Sequence, residues 1–595
     1  MKTRVGTLWG WLSLAAVISI NISISAAAVT HYVDLNSTNA TPPYTDWSTA
    51  ATNIQSAIDA ATDGDLVLVT NGVYATGGRV VYGTLTNRVV INKAVTVQSV
   101  NGPAVTIING YRVPSTSTAY INDVRCVYMT NNAVMNGFTI TNGAALSTFT
   151  SGSTNYARSI LSGGGVFCEN TNSILTNCVL VGNLCVSTFS AAGGGAVCQG
   201  TLFNCILSNN MVAANVSSYG VPGGAAYLSV LNNCLIISNS ASFGGGVAYS
   251  MLNYCSVLDN VASFFPDKTY GGGTYMCTAN YCLIAGNFSC TAGGGDYQGV
   301  LSSCVLSNNT CMTPSISSII TGGGSYQSPV NVSYLPLLNN CLIISNYCYG
   351  NIGYGGGVYF YGPKINAINC TIIGNTANTQ GGGVCNGYLL NSIVIHNNCP
   401  SNPNAFGTRL TNCWTSDPLF INLAGGDYHL SANSPCINAG NNAYISGTND
   451  FDNNPRIAGG TVDIGCYEYQ TPTSVLSYAW AQQYGLPTDG TADYADTDGT
   501  GMNNWQKWIA GLNPTNPASV LAMQTPAATN NSSGITVTWQ SVNTRTYYLQ
   551  RATDFTAQPV FTSIQSNLVG QAGTTSYTDT TATNGGPFFY RVGVQ

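Results

Sequence analysis

The heptapeptide NCLIISN stands at 233–239 and again, letter for letter, at 340–346. Laid along the chain, the same frame recovers NCVLVGN from 177, NCILSNN from 204, YCSVLDN from 254 and YCLIAGN from 281. It continues with SCVLSNN from 303, NCTIIGN from 369 and NSIVIHN from 391. NGFTITN from 136 fits with glycine in the cysteine place. An asparagine always follows five residues after the cysteine position. From Cys178 to Cys370 seven steps span 192 residues, about 27 each. In phase with them runs GGG at 163, 193, 244, 271, 293, 322, 355 and 381, with GGA at 223.

A period of this size belongs to solenoids or propellers. Propeller blades are longer, a leucine-rich repeat pattern is missing, and glycine triplets with β-branched runs exclude helical repeats. What remains is a parallel β-helix, each repeat one coil of short strands and turns, with coils stacked at the spacing of paired strands. The fold class expected is therefore mostly β, with a parallel β-helix as its main body. The cysteine reads as a small inward rung. The asparagine reads as a corner residue that tolerates left-handed backbone and can bond to its stacked neighbours. The glycines read as turns or close backbone approaches.

Composition agrees. Only 6% of the 595 residues are charged, 45% are hydrophobic, and the net charge is −6 with pI near 4.9. That balance argues against disorder and against nucleic-acid binding. Lys2 and Arg4, the apolar run from Leu8 and Ala26-Ala27-Ala28 read as an export signal over 1–28. A secreted or cell-surface protein is expected, without a membrane span in the mature chain. The 21 cysteines lie between Cys126 and Cys466. They are read chiefly as buried thiols, with disulfides as the alternative, since coil stacking brings Cα atoms within bridging range.

Two residues after the triplets an aromatic recurs: Phe167, Tyr227, Tyr275, Tyr297, Tyr326 and Tyr359. Tyr249 falls one position late, and Val197 and Cys385 occupy the place in two other coils. The preceding position is mostly small and apolar, so it is expected inward and the aromatics outward. Asp296 and Ser325 break that pattern. The stripe is either sheet-stabilising stacking or a surface for sugar rings, which makes these six residues the glycan-binding candidates.

Residues 31 to about 470 resemble the right-handed parallel β-helix proteins of the pectin-lyase-like superfamily. The carriers are the opening THYVDLNST…WSTAATNIQSAIDAATDGDLVLVTNGVY and the repeats. The resemblance implies an amphipathic helix around Asn53–Ala61 over the end of the stack. The GGG and C-x-h-x-x-N marks are similar to the repeats of polymorphic outer-membrane proteins. From Asp417, DPLFINLAGGDYHLSANSPCINAG and then DFDNNPRIAGGTVDIGCYEYQ resemble the choice-of-anchor Q module, which implies a surface or secreted bacterial protein. The resulting domains are signal 1–28, β-helix with N-terminal cap 29–413, choice-of-anchor Q-like terminal coils or cap 414–470, linker and helix-loop-helix 471–519, and sandwich 520–595.

Within 471–519, DTDGTGMNNWQK resembles the calcium loops of thrombospondin type 3 repeats and dockerins. The resemblance places Asp496, Asp498 and Asn504 as ligands, with Gly501 at the tight turn and the Met502 carbonyl offered. Thr500 and Lys507 stand where acids belong, so calcium binding is expected to be weak or lost. Residues 520–595 resemble a fibronectin type III or immunoglobulin-like sandwich, with Trp539 and Tyr590 as core.

Acids and bases are too scattered through the repeats to assemble paired carboxylates. Asp123 with Arg125 reads as a surface ion pair. Asp450, Asp452, Asp463 and Glu468 near Arg456 read as an end-capping salt-bridge network or structural cation site. His31, His396 and His429 read as structural. The function expected is a non-enzymatic scaffold, adhesin-like or glycan-binding. The alternatives are a polysaccharide lyase or hydrolase, and a calcium-dependent assembly component.

Overall fold

The computed structural model describes residues 28–113, 123–145, 153–187, 192–214, 220–263, 269–313, 319–328, 337–362, 366–525, 534–583 and 585–595. The export signal lies, but for its last residue, outside them.

Each central coil supplies one short strand to each of four stacked sheets. The coil of Val247–Ala248, Met251–Asn253, Ser256–Leu258 and Val261–Ala262 is representative. We call these sheets 4, 1, 2 and 3; they hold 13, 14, 12 and 9 strands. Pairing is parallel and in register, as in Met251↔Thr278↔Val300. Antiparallel pairing enters sheet 4 at Arg79–Val80 and at the isolated Tyr111–Val124 bridge. This is the right-handed parallel β-helix expected. The first helix, α1 (Ile54–Ala60), puts Ile54, Ala57 and Ile58 into the core cluster that runs through the stack.

The repeated letters have separate jobs. The residue before each cysteine takes left-handed backbone, from Asn177 (φ 52°) through Tyr254 (55°) to Asn391 (47°). It turns the chain between sheets 1 and 2. The cysteine then points inward. Cys282 Sγ donates to Asn280 O at 3.2 Å and accepts from the Cys255 amide at 3.4 Å. Ser392 makes the same pair of bonds, to Leu390 O and from Cys370 N, so from Cys178 onward the rung selects a small hydrogen-bonding side chain. The structure holds all 21 cysteines as free thiols, 18 of them buried.

The asparagine differs from the corner role expected. The left-handed residue is the one before it, such as Asp259 (φ 50°) or Gly286 (66°). The asparagines themselves form a continuous internal ladder from Asn183 to Asn397. Asn260 donates its backbone N–H and its Nδ2 to Asn287 Oδ1, at 2.9 and 3.0 Å, and its Nδ2 also reaches Ile236 O. The triplet completes this arrangement. Gly271 has φ +66°. A Cβ on Gly272 would meet Gly294 O at 2.3 Å, and one on Gly273 would meet the Asn287 amide at 3.0 Å. The third glycine is small because the ladder packs against it.

Two copies sit one residue out of the sequence alignment. Thr139 pairs with Val179, so Phe138, not Gly137, fills the cysteine rung. Phe167 pairs with Cys198, not Val197, in the aromatic column.

Residues 414–470 do not extend the stack as further coils. Trp414 still bridges Ile393 in parallel, and beyond it the chain turns back along the outer face of sheet 2. There Leu430, Cys436, Ile437 and Ile464 cover the outward side chains of Ile373, Ile393 and Ile395. Beyond lie α3 (Tyr478–Gln483) and α4 (Asn504–Ala510). A small domain follows, of one two-stranded and one three-stranded antiparallel sheet around Val537, Trp539, Tyr547 and Leu549. Tyr590 lies at the edge of that core and donates its hydroxyl to Asp579.

Candidate functional site

Strand alternation places the aromatic column on the outer face of sheet 4, while Val247, Thr274, Asp296 and Ser325 of the same strands face the interior. Tyr275, Tyr297, Tyr326 and Tyr359 stack in one line. Their centroids are 5.2, 4.8 and 5.5 Å apart and their planes lie within 13° of parallel. Phe243 and Tyr270 form a second row that stacks on Tyr275 and Tyr297. The ring faces are therefore spent on one another. The four rings are half-buried, and face-to-face stacking leaves the ring edges as the parts for solvent to reach. Desolvation raises the Tyr326 phenol to about 12. Towards the N-terminus Tyr249 stands edge-on to both Tyr275 and Tyr227, bridging the coil where Ala248 holds the column position. Tyr227 and Phe167 are buried. The sequence reading of a uniform flat stripe on which sugars stack gives way to two stretches: an edge-exposed one and a covered one.

What covers the second stretch is α2 (Thr154–Leu161), which sequence periodicity did not single out. Its buried residues include Ile160 and Leu161. Arg125 anchors it: the guanidinium is buried and donates to Ser159 O, Ser162 O, Gly163 O and Asn87 Oδ1. A cation at a helix C-terminus meets the negative end of its dipole. Arg125 is thus a helix anchor, not the surface ion-pair partner of Asp123, which accepts from the Val113 amide. Between α2 and sheet 4 lies a cavity of about 360 Å³. Tyr128, Phe167, Glu169 and Gln199 line one side, Tyr156 and Arg158 the other. Glu169 accepts from the Tyr128 hydroxyl, and burial with this carboxylate holds the Tyr128 phenol well above its ordinary range. Arg158 lies 5.9 Å from the Tyr227 ring centre.

In the 496–507 loop, Asp496 accepts from the Thr500 and Gly501 amides at 3.1 and 2.7 Å. Asp498 accepts from the Thr500 hydroxyl and pairs with Lys507, and both of those side chains are buried. The ammonium holds Asp498 below the usual carboxylate range, against the effect of burial. Asn504 turns away to Ala492 O and Thr497. The donor set does not fit calcium: a positive charge is already built into the loop against Asp498, and one of three expected ligands points elsewhere.

The acids of 414–470 serve as backbone acceptors. Asp463 takes the Asn438 and Tyr469 amides, Glu468 those of Ala458 and Asp463, and Asp450 those of Asp452, Asn454 and Glu468. Arg456 donates to the carbonyls of Cys466, Asp463 and Gly465 and makes no ion pair with these acids. Burial raises Asp463 and Glu468, each further raised by the other or by Asp450. His429 is clasped between Asp427 and Asp452, at 2.5 and 2.6 Å, and these partners raise it despite partial burial. His31 contacts Pro43 O and Asp65, and His396 takes the left-handed position before Asn397. Among the described residues no cluster of three or more metal-ligating side chains is arranged to hold a metal ion. None of their helices is long and apolar enough to cross a membrane.

No family model matches the chain, and no curated protein does. Among solved structures, pectate lyase Pel9A is similar at 13% identity, over 74% of this chain and 97% of that one, with a TM-score of 0.34. A rhamnogalacturonan lyase is similar at 12%, over 67% and 92%, TM-score 0.29. The A-module of the Azotobacter vinelandii mannuronan C-5 epimerase AlgE4 is similar at 12%, over 61% and 92%, TM-score 0.30.

Proposed function

We propose that the protein is an exported, secreted or surface-held β-helix that binds a linear glycan without transforming it, and that the tyrosine column is the binding track. The observation that supports this is the line of four parallel rings, 4.8 to 5.5 Å apart. That repeat is close to the length of one sugar residue in an extended β-1,4-linked chain, so successive phenols can address successive sugars. With the ring faces occupied, recognition is edge-on, through hydroxyls that both donate and accept. Among the described residues the track carries phenols and no row of cations, which favours a neutral glycan. The test is the triple variant Tyr297→Phe, Tyr326→Phe, Tyr359→Phe. Phenylalanine keeps the stacking and removes the hydroxyls, so an unchanged melting temperature with lost glycan binding is expected. Undiminished binding by this variant would sink the proposal.

A second reading, a polysaccharide lyase or hydrolase, draws on the cavity that brings Glu169, Tyr128 and Arg158 together. Glu169 is the sole carboxylate among the described residues that line it, where hydrolysis by paired carboxylates needs two. A tyrosine base would have to give up a proton that burial and Glu169 hold in place. Release of new reducing ends or unsaturated products, abolished by Glu169→Gln, would establish this reading instead. We assign 414–470 (choice-of-anchor Q-like), 471–519 (dockerin-like) and 520–595 (fibronectin type III-like) to holding the stack at its site of action, in a calcium-independent manner.

A further inference from the structure

Resting on that reading, we propose that the track is blind-ended: the cavity beneath α2 receives the terminal residue of the glycan, so the protein recognises chain ends and not chain interiors. Three observations converge. First, the column is continuous. Val90, Tyr128, Phe167, Cys198, Tyr227 and Ala248 form one cluster on which Tyr275 packs, so the cavity floor and the exposed tyrosines belong to one line of stacked coils. Second, the line is closed on its N-terminal side. Tyr82 packs against Tyr128 with centroids 6.0 Å apart. The next residue, Gly83, lies so close to α2 that a Cβ there would stand 3.2 Å from the Tyr156 hydroxyl and 3.3 Å from Ile160. The 82–83 loop and α2 thus meet as an end wall. Third, the space and chemistry suit a sugar. About 360 Å³ falls in the range of small-ligand pockets. Glu169, Gln199 and the Tyr156 hydroxyl offer a mixed set of donors and acceptors around the apolar Phe167, which matches a ring of hydroxyls with an apolar face.

A chain running along Tyr359, Tyr326, Tyr297 and Tyr275 towards the N-terminus would leave the exposed rings at Tyr249, reach α2 beside the buried Tyr227, and have the wall ahead of it. An interior segment would have to continue through α2. A terminus needs only to stop there.

The test uses the full chain with neutral β-1,4-linked oligosaccharides and their parent polymers (glucan, xylan and mannan), by titration calorimetry. End recognition predicts that affinity follows the molar concentration of chain ends, so that at equal mass the polymer binds more weakly in proportion to its length. Chemical blocking of one terminus, reducing or non-reducing, should weaken binding by at least about tenfold, and the sensitive end identifies which terminus is held. The double variant Tyr82→Ala, Tyr156→Ala should open the wall and make binding follow residue concentration instead. If polymer and oligosaccharide bind equally per sugar residue in the natural chain, and blocking either end changes nothing, end recognition is wrong while the track stands. If the phenylalanine triple variant binds undiminished, the track itself is wrong.

Discussion

The coil stack and the segment folded along its side solve the same problem by opposite means. Both bury backbone amides that need acceptors. In the stack the acceptor is supplied by repetition: Asn287 serves Asn260, Asn309 serves Asn287, and so on along the ladder. In residues 414–470 nothing repeats, and seven amides are met by three individually placed carboxylates, two by Asp463, two by Glu468 and three by Asp450. Amides do not titrate and carboxylates do. The stack should therefore be sensitive to shape and indifferent to pH, and the lateral segment the reverse.

The strongest way to break the stack is Gly272→Ala. Its Cβ would meet three backbone atoms, Gly294 O, Phe288 O and Phe288 C, at 2.3 to 2.6 Å. Backbone cannot rotate aside as a side chain can, so two coils must part. A loss of about 4 kcal/mol or more is expected, in the class of severe overpacking. Chemical denaturation of the full chain measures it, and a loss under about 1 kcal/mol would refute the close packing of triplet and coil. Asn287→Ala follows, at about 3 kcal/mol, because Asn260 N, Asn260 Nδ2 and Val257 O all lose their partner.

These two sites also mark what could be read from the sequence. Asn287 and Gly272 recur in register, so periodicity exposes them and the fold with them. The ladder's direction was not legible, because a corner and an interior asparagine leave the same letter. A second rung, at Gly200, Ser229, Ser250, Cys277 and Gly299, escaped because three residue types fill it. Its chemistry nevertheless repeats the cysteine rung: Ser250 Oγ donates to Ala248 O and accepts from Ser229 N. The cavity was invisible because its walls, Tyr82, Tyr156 and Glu169, come from places that share no period. The aromatics of the track were legible as letters, while the spending of their faces on stacking was a matter of geometry.

Lys507 sharpens the contrast from a third place, where a single ion pair replaces both devices. Lys507→Met keeps the volume and leaves Asp498 buried without its partner. We expect a loss of about 3 kcal/mol or more in the stability of the 471–519 segment, read by hydrogen exchange in the full chain. Lys507→Glu with Thr500→Asp should instead strengthen calcium binding, measurable by calorimetry, where the natural chain is expected to bind weakly or not at all. Micromolar calcium binding by the natural chain would overturn the assignment of the ammonium to the cation's place.

The pH comparison is next in size. Asp463, Glu468 and Asp450 are all raised above their ordinary values, with burial the largest cause. A carboxyl whose folded pKa is raised stabilises most when protonated, and that contribution is lost as pH rises through the folded value. Amide exchange in 414–470 should therefore open, relative to ladder amides, as pH climbs past neutrality. Asp296 is the exception that tests the rule inside the stack. It is fully buried, bonded by Thr274, Ser325, Gln327 and the Gly299 amide, and raised from 3.8 to about 6, chiefly by desolvation. Its contribution is fully present below about 3.8 and lost as pH rises through about 6. Asp296→Asn should stabilise the chain by about 2–3 kcal/mol at pH 8, with the gain fading towards pH 4. A pH-independent difference between the two proteins would show that Asp296 stays ionised throughout.

The smallest effect expected is the most specific to the opening motif. If the cysteine rung were there to be oxidised, serine could not replace it. If it were there only as an apolar filler, alanine would serve as well. The structure assigns it a third role, a small side chain that donates to the carbonyl two residues back and accepts the amide of the coil before. The stack already contains the replacement: Ser392 makes both bonds, at 2.8 and 3.0 Å, in the place that Cys370 and Cys341 hold in earlier coils. Cys282→Ser should therefore cost within about 1 kcal/mol, while Cys282→Ala should cost more, leaving Asn280 O and the Cys255 amide without their sulfur partner. Thiol titration of the natural chain after denaturation without reductant should find most of its 21 cysteines free. Equal costs for serine and alanine would reduce the rung to a filler. Near-complete pairing of the thiols would make it a staple, and the serine variant would then lose the several kcal/mol that a native cross-link contributes.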